Sequence, residues 1–319
     1  MRAPITLDLH LPNFNFPDTP PERLLERLLE IAEAAEESGY TCISVMDHLH
    51  QIRGIGPRTN WMLEGNTILA ALAASTSRVA LTLLVGGVTY RNPALLAKIT
   101  TTIDVISRGR AVLGLGAAWN EEEHDAYGIP FPPLRERFER LEDALRIARA
   151  MFTEPESSVA GRHHSTSGAI NNPQPLRGDI PILVGGSGER KTLRLVAQYA
   201  DGCNVFGDAE RVRHLMGVLD GHCEAVGRDP SEITRTKMAA AFVAPTHEAA
   251  MRKLEAAGLS DEMRSALAIA GDPDGLAEQA QPFLDAGVDG LTVRLADVHD
   301  LESVALVGRA LSPLVGAAA

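Results

Sequence analysis

The chain has 319 residues, 45% of them hydrophobic and 23% charged, and its formal net charge is −12. This composition is typical of a folded globular protein, and the length allows two ordinary domains or one large barrel. The negative charge disfavours nucleic acid and anionic membranes as partners, so we expect a small-molecule substrate. The first residues, MRAPITLDLH, lack the apolar core of a secretory signal, which predicts a cytoplasmic protein.

Short apolar segments alternate with amphipathic segments along the chain, as in repeated βα units around a parallel sheet. The predicted strands are PITLDLHL, TCISVMDH, RVALTLLVGG, RAVLGLGAAW, IPILVGG, DGCNVFG, ITRTKMAAAFVA and VDGLTVRLA. Helices are predicted to begin near Pro21, Leu63, Pro93, Leu134, Glu189, Asp208, His247 and Pro273. Eight units favour an α/β fold of the (β/α)8 TIM-like barrel type with insertions. An open doubly wound sheet is the alternative, but the first strand is followed by no glycine-rich dinucleotide fingerprint.

Two segments depart from this alternation of apolar and amphipathic segments. Residues 153–180 are rich in Gly, Pro, Ser and Asn and are too long for an ordinary connection, which predicts an excursion at the carboxyl-terminal face of the barrel, with a hairpin as one option. Residues 247–271 are predicted to form an irregular helical stretch before the last helix. Because no linker interrupts the chain, we expect one domain over residues 1–319.

In a β/α barrel, functional side chains lie at the carboxyl ends of the strands. The candidates at those positions are Asp8, His10, Asp47, His48, His50, residues 85–88, Trp119, Asn120 and residues 185–190. A histidine next to a carboxylate can give or take a proton near neutral pH. The alternative for Asp47 and His48 is a structural one, in which the acid caps a turn and the imidazole binds a loop carbonyl.

His48 and His50 also form an H-x-H pair, which in barrel hydrolases can bind a metal together with further ligands such as Asp8 and His10. The later strands end in Gly-Gly, Phe-Gly, Val-Ala and Leu-Ala and offer no clear ligand set. A metallohydrolase that uses His48 and His50 is therefore the less favoured interpretation, and no metal site is predicted.

The glycine-rich turn GGSG of residues 185–188 lies between a predicted strand and a predicted helix, and Arg190 and Lys191 follow it. Glycines let backbone N–H groups approach an anion, and the helix N-terminus attracts negative charge. The turn therefore indicates a phosphate site, although a simple tight connection would use the same residues. Gly86 and Gly87 suggest either a bulge against a flat ligand or a simple strand end. Trp119 suggests either a wall for such a ligand or ordinary packing under a loop.

Three stretches, MDHLHQ, LLVGGVTYRNPALLAKITTTIDVISRGRAVLGLGAAWNEEEHDAYGIPFPPLRERFERLEDALRI and PILVGGSGERKTLRLVAQYADGCNV, resemble the luciferase-like flavin and deazaflavin oxidoreductases. Within that superfamily the resemblance is to the branch that uses the deazaflavin coenzyme F420. It implies a β/α barrel with the coenzyme across its carboxyl-terminal mouth, often in a homodimer.

The same resemblance assigns roles to individual residues. Asp47 would orient the coenzyme, and His48 would manage a proton while a hydride moves to or from the ring. Leu84, Val85, Gly86 and Gly87 match the segment where relatives place a non-proline cis peptide. The predicted phosphate turn is Gly185, Gly186, Ser187 and Gly188, and Trp119 and Asn120 complete the predicted coenzyme contacts.

The predicted function is thus an F420-dependent oxidoreductase that transfers a hydride between the deazaflavin C5 and a small organic substrate. An FMN-dependent luciferase-like monooxygenase is the alternative, and a deazaflavin-binding protein without turnover is a third possibility. The sugar-phosphate dehydrogenases of the family carry an acid where Trp119 aligns and a tryptophan where this chain has HQI, so their specific activity is not implied.

Overall fold

The computed structural model describes residues 5–315, which contain a closed parallel barrel. Its strands are β1 (Leu7–Leu11), β2 (Cys42–Val45), β3 (Ala80–Leu83), β5 (Ala111–Gly116), β6 (Ile182–Gly185), β7 (Gly202–Val205), β8 (Thr234–Val243) and β10 (Gly290–Leu295), with the short β4 (Gly86–Gly87) beside β5 and β9 (Ala268–Gly271) beside β8. The barrel closes where β10 pairs with both β1 and β8. The predicted barrel class and all eight predicted strands are confirmed.

Helices surround the barrel. They are α1 (Leu24–Glu37), α2 (Gly65–Ser75), α3 (Pro93–Ser107), α4 (Glu121–Tyr127), α5 (Leu134–Thr153), α6 (Thr192–Tyr199), α7 (Ala209–Val226), α8 (His247–Ala256), α9 (Asp261–Leu267), α10 (Pro273–Leu284) and α11 (Leu301–Leu311). Side chains set several boundaries: Asn92 caps α3 ahead of Pro93, and Asp208 caps α7, which ends at the left-handed Gly227. Across residues 5–315, no helix combines the length and apolar composition that spanning a membrane requires.

The barrel strands are buried on both faces, as a parallel sheet covered by helices requires. Apolar side chains such as Leu9, Ile43 and Leu81 pack in the main hydrophobic core. The lumen is partly polar, since Asn204 donates hydrogen bonds to Thr236 at 2.9 Å and to Thr292 at 3.1 Å. These bonds satisfy polar groups that burial would otherwise penalise.

The last third of the chain differs from the sequence prediction. Within residues 247–271, predicted as an irregular helical stretch, Ala268–Gly271 form β9, which pairs with the carboxyl half of β8. This extra strand covers β8 beyond Ala241, where the pairing with β10 ends. A final helix, α11, follows the last strand and was not among the predicted helix starts.

The predicted excursion at residues 153–180 does contain a hairpin, in which Ser157 and Ala169 exchange backbone hydrogen bonds of 2.9 Å. Its ends do not lie at the carboxyl-terminal face, where the prediction put the excursion, but its tip extends to the first turns of α5, where His163 Nε2 lies 2.9 Å from Glu139 Oε2. The segment joins the end of α5 to the start of β6, and both lie at the amino ends of the strands because α5 runs back along the barrel. The Asp143 carboxylate of α5 accepts hydrogen bonds from the N–H groups of His163 and His164, which fastens the hairpin to the outside of that helix.

Candidate active site

A cavity of about 320 Å³ opens at the carboxyl ends of β2, β4, β5, β6, β7 and β8. The predicted site residues that line it are Asp47, His48, Leu84, Val85, Gly86, Gly87, Trp119, Gly185 and Gly186. Further lining side chains include Tyr90, Phe138, Asn204, Phe206 and Met238. The predicted residues Asn120, Ser187 and Gly188 do not line the cavity. Its largely apolar walls with a few polar groups suit a flat organic ligand.

Asp47 lies two residues past the end of β2 and is 3% exposed. Its carboxylate accepts two hydrogen bonds from Arg91, at 2.7 and 2.8 Å, and one from the Gly87 N–H at 3.0 Å. Arg91 also binds Glu64, the N-cap of α2. Both carboxylate oxygens are thus engaged within the protein. The role that this geometry supports for Asp47 is to position the segment after β3.

That segment forms a bulge. The peptide between Leu84 and Val85 is cis, as the family resemblance predicted. The side chain of Val85 lies over two glycines, because a Cβ added at Gly116 or Gly185 would come within 2.7 or 2.9 Å of its methyl groups. Glycine at these positions on β5 and β6 therefore lets Val85 reach across the mouth of the barrel.

His48 is held by Glu123, a residue of α4 whose side chain is fully buried. The His48 Nδ1 atom lies 2.8 Å from Glu123 Oε2. Tyr90 donates its hydroxyl hydrogen bond to the same oxygen, and the N–H groups of Leu49 and His50 bind Oε1. Burial alone would raise the pKa of Glu123, but the hydrogen bonds from His48 and Tyr90 lower it to about 2.

This arrangement sets the tautomer of His48. Since the Glu123 carboxylate is an acceptor, Nδ1 carries the proton and donates it, and Nε2 is left as the atom that can accept or release a proton. No residue in the described part of the chain makes a hydrogen bond to Nε2. The indole of Trp119, which is 63% exposed, meets the imidazole edge to face with ring centres 5.4 Å apart.

Sequence reasoning missed Glu123 and Tyr90. The available signal was the run of acids Glu121–Glu123 shortly after β5, but three identical residues in a row do not indicate which one faces the barrel. The helical register decides this, because α4 is anchored by His124. Its Nδ1 donates to the Asn120 carbonyl at 2.7 Å, its Nε2 lies 2.6 Å from the Thr89 hydroxyl, and its ring stacks on Tyr90.

The predicted phosphate turn follows β6. Gly186 has φ +123°, a conformation that other residues rarely adopt, and its N–H binds the Asn204 carbonyl at 3.0 Å. The Ser187 hydroxyl accepts a hydrogen bond from the Phe206 N–H at 2.8 Å, which fixes the turn against β7. Between residues 5 and 315, no acceptor is present for the backbone N–H groups of Ser187, Gly188 and Arg190.

A second polar chain lies deeper in the lumen. The Ser44 hydroxyl donates to Asp8 at 2.7 Å and in turn accepts from His10 Nδ1 at 2.9 Å. Burial raises the pKa of Asp8 to about 6. Burial, and then the charges of Arg294 and His48, lower the pKa of His10 to about 3, so this imidazole is neutral.

The H-x-H pair does not act as one ligand set. His48 binds Glu123, whereas His50 Nδ1 lies 3.3 Å from the Gln51 carbonyl oxygen. Among the residues that the structure describes, no group of three His, Cys, Asp or Glu side chains is placed to hold a metal ion. The metallohydrolase alternative therefore lacks a ligand set in this part of the chain.

Comparison with known proteins agrees with this architecture. Residues 6–260 match the family model of the luciferase-like monooxygenases. The F420-dependent glucose-6-phosphate dehydrogenase of Nocardia farcinica is 29% identical over 92% of this chain and 94% of its own length.

Two solved structures share the fold, each at 17% identity. An F420-dependent secondary alcohol dehydrogenase has a TM-score of 0.82, with 99% of this chain and 100% of the other covered. The oxygenating constituent of 3,6-diketocamphane monooxygenase from Pseudomonas putida, in complex with FMN, has a TM-score of 0.76, with 98% and 99% covered. From the family match, the chain belongs to the luciferase-like monooxygenase family.

Proposed function

We propose that this chain is an oxidoreductase that uses coenzyme F420 and exchanges a hydride with a small organic substrate. The observation that carries the proposal is one cavity with apolar walls and a histidine whose Nε2 is open. Gly185 and Gly186 line this cavity, and the residues that follow them in the turn have N–H groups without an acceptor in the described part of the chain. The relative from Nocardia farcinica, similar over nearly the whole chain, supports F420 as the coenzyme.

The residues fit such a coenzyme. Its phosphate would bind the N–H groups of Ser187 and Gly188, which no protein acceptor occupies in residues 5–315. The exposed Arg190 and Lys191 add positive charge beside this turn in an otherwise acidic chain. The flat ring would lie against the bulge at Val85, where the wall is apolar. These contacts hold an anion at one end and an aromatic system at the other.

When bound, the deazaflavin supplies a ring carbon that takes up or gives a hydride. The protein supplies proton management next to it. His48 can accept a proton at Nε2 or release one from it, while Glu123 fixes the ring and stabilises the imidazolium. Asp47 and Arg91 are positioning residues, because they hold the Gly87 N–H and thereby the bulge.

A non-catalytic carrier of the deazaflavin would not need the His48–Glu123 pair. Burying a carboxylate costs free energy, and here that carboxylate is directed at an imidazole whose other nitrogen is left open. The pair therefore favours turnover over storage.

An FMN monooxygenase is the second candidate, favoured by the structural neighbour that contains FMN. Isothermal titration of the purified protein with F420 and with FMN separates the two. We expect F420 to bind at least tenfold more tightly, with a shift in its absorbance, and reduced protein-bound F420 to transfer its hydride to a substrate. Tighter binding of FMN would overturn the proposal.

We also propose a homodimer. Leu95, Ile106 and Leu176 are 56%, 40% and 55% exposed on α3 and on the loop beside it, where Leu176 is tied to Asp104 of α3. Exposed apolar side chains along one helix and the loop beside it are typical of a protein interface. Light scattering should give twice the monomer mass, and Leu95→Glu should lower it; a wild-type monomer at micromolar concentration would contradict the proposal.

A further inference from the structure

A second cavity, of about 280 Å³, lies beside the first at the mouth of the barrel. Strand β8 borders both. Met238 lines the first cavity, and Ala240 and Phe242, which lie on the same face of the strand by their two-residue spacing, line the second. Besides burial, the charges of Arg294, in the second cavity, and of His48, in the first, both lower the pKa of His10, which therefore lies near both residues. The two cavities are therefore neighbours along β8.

Arg294 is the one charged residue that lines the second cavity. Its side chain is half-buried, and within residues 5–315 it has neither a hydrogen-bond acceptor nor a carboxylate at ion-pair distance. Every other buried or half-buried arginine in that range donates to a carboxylate or a carbonyl oxygen, as Arg91, Arg110 and Arg149 do. Desolvation of an unpaired cation is unfavourable, so an anion that enters this cavity gains a partner at a group already partly stripped of water.

A second donor faces the same space. Asn13, which lines the cavity, uses its Oδ1 to accept a hydrogen bond from the Asn15 N–H at 3.2 Å. Its amide nitrogen has no acceptor in the described part of the chain. The remaining lining is mostly apolar, with Phe16, Ile55, Phe242, Leu259 and Val298. The cavity thus offers hydrogen-bond donors to one end of a ligand and a hydrophobic surface to the rest.

His10 adds no competing charge. Its Nδ1 donates to Ser44, which is itself bound to Asp8, and burial lowers the pKa of His10 to about 3, so the imidazole is neutral. A substrate anchored at Arg294 would extend along β8 towards the cavity that contains His48.

We propose that the second cavity is the substrate site and that the substrate is an organic carboxylate with an apolar body, held by Arg294 and Asn13. The inference rests on the proposed function, because it takes the first cavity as the coenzyme site. It also separates this chain from a sugar-phosphate enzyme. The hydroxyl groups of a sugar need hydrogen-bond partners, and the apolar side chains that form most of the cavity wall supply none.

The test is calorimetric binding of 3-phenylpropanoate, its methyl ester and glucose 6-phosphate to the protein with and without F420. We expect the acid to bind about 10- to 100-fold more tightly than the ester, the range for a hydrogen bond to a charged group. Arg294→Gln should lower the affinity for the acid to that for the ester and leave the ester and F420 unaffected. Arg309→Gln, which removes the same charge from an exposed position on α11, is the matched control and should change nothing.

Equal binding of acid and ester to the wild-type protein, no binding of the acid, or tighter binding of glucose 6-phosphate would overturn the carboxylate site. Because the acid and the ester are compared on the wild type, the result does not depend on the folding of the variant. A protein that binds the acid at Arg294 but does not bind F420 would instead refute the proposed function and leave the carboxylate site standing.

Discussion

On the side of the barrel mouth formed by β2 and β5, His48 and Tyr90 both bind Glu123. The turn after β6, by contrast, leaves the N–H groups of Ser187 and Gly188 without an acceptor in residues 5–315. The first side has its geometry set by the protein alone. The second side offers donors that the protein leaves open to solvent or to a ligand. Substitutions on the first side should therefore affect chemistry, and substitutions on the second should affect binding.

The largest expected effect is that of His48→Ala. Loss of a general acid or base typically reduces a rate by ~10²- to 10⁴-fold, and the coenzyme affinity should stay within about threefold of the wild type. Rapid mixing of F420-loaded protein with the first substrate identified would measure the hydride step. His48→Gln separates proton transfer from hydrogen bonding, since its amide cannot exchange a proton. Near wild-type rates in both variants would assign His48 a structural role only.

Glu123→Gln should have the next largest effect. The amide keeps the shape of the side chain but removes the negative charge beside the imidazole, so we expect about a 10- to 100-fold slower hydride step, as for lost stabilisation of a developing charge. The variant also has a signature in stability. Because the pKa of Glu123 is lowered to about 2, its ionised form stabilises the fold above the unfolded-state pKa of about 4.3, and that contribution is lost as the pH falls towards 2.

Urea unfolding at pH 7 and pH 3 measures this contribution. The difference in the free energy of unfolding between wild type and Glu123→Gln should be smaller at pH 3. A difference that is independent of pH, together with an unchanged hydride step, would remove Glu123 from the proposed pair.

The other side of the mouth is tested by Gly186→Val. A side chain at φ +123° strains the turn, and its Cβ would contact the Thr192 side chain at the start of α6, so the backbone that presents the N–H groups of Ser187 and Gly188 would have to shift. We expect F420 affinity to fall about 10- to 100-fold, which corresponds to the loss of one or two charge-assisted hydrogen bonds. Gly227→Val is the matched control, because that glycine also has a positive φ of 68° but ends α7 with open space around its Cβ. Unchanged F420 affinity in a folded Gly186→Val protein would locate the phosphate elsewhere.

Two cations that the described residues leave unpaired, Arg294 and Lys237, show a related contrast. Arg294 lies in a cavity, but the Lys237 Nζ is fully buried, without a hydrogen-bond partner in the described residues, and rests 3.7 Å from the centre of the Phe283 ring. No ligand can reach it, so we expect it to lower stability. Burial lowers the pKa of Lys237 to about 7. Below pH 7 the buried amine must be charged, so the free-energy cost of burying Lys237 in the folded protein is then at its largest.

Lys237→Met should accordingly raise the free energy of unfolding at pH 7 by on the order of 1–3 kcal/mol, the usual cost of a buried polar group without a partner. The advantage over wild type should shrink as the pH rises from 7 towards the unfolded-state pKa of about 10.4, because the folded protein then holds the neutral amine. Urea unfolding at pH 7 and pH 9.5 checks the sign. A destabilised variant at both pH values would show that the ring of Phe283 compensates the charge.

The sequence predicted the barrel and the strand ends well because both depend on local patterns. Short apolar runs mark the strands and helical periodicity marks the helices, and polar residues at strand ends such as Asp47 and His48 stand out against those runs. The partners of those residues come from elsewhere in the chain. That Glu123 faces His48, and that Arg91 takes both oxygens of Asp47, depends on the tilt of α4 and on the bulge at Leu84. Similarly, β9 has four residues, three of them Ala or Gly with low strand propensity, so only its pairing with β8 reveals it as a strand.

The smallest expected effect is that of Asn120→Ala, which tests a residue that the sequence placed in the coenzyme site. The structure does not place it among the lining of the cavity, and its amide lies 3.4 Å from Glu123, a long hydrogen bond that adds little to the bonds from His48 and Tyr90. The contact of Asn120 that matters is its carbonyl, which binds His124, and alanine retains that carbonyl. We therefore expect F420 affinity and the hydride step to change less than about twofold. A tenfold loss of F420 affinity in calorimetry, with the melting temperature unchanged, would mean that the side chain of Asn120 turns towards the coenzyme when it binds. The side of the mouth formed by β2 and β5 would then also take part in coenzyme binding.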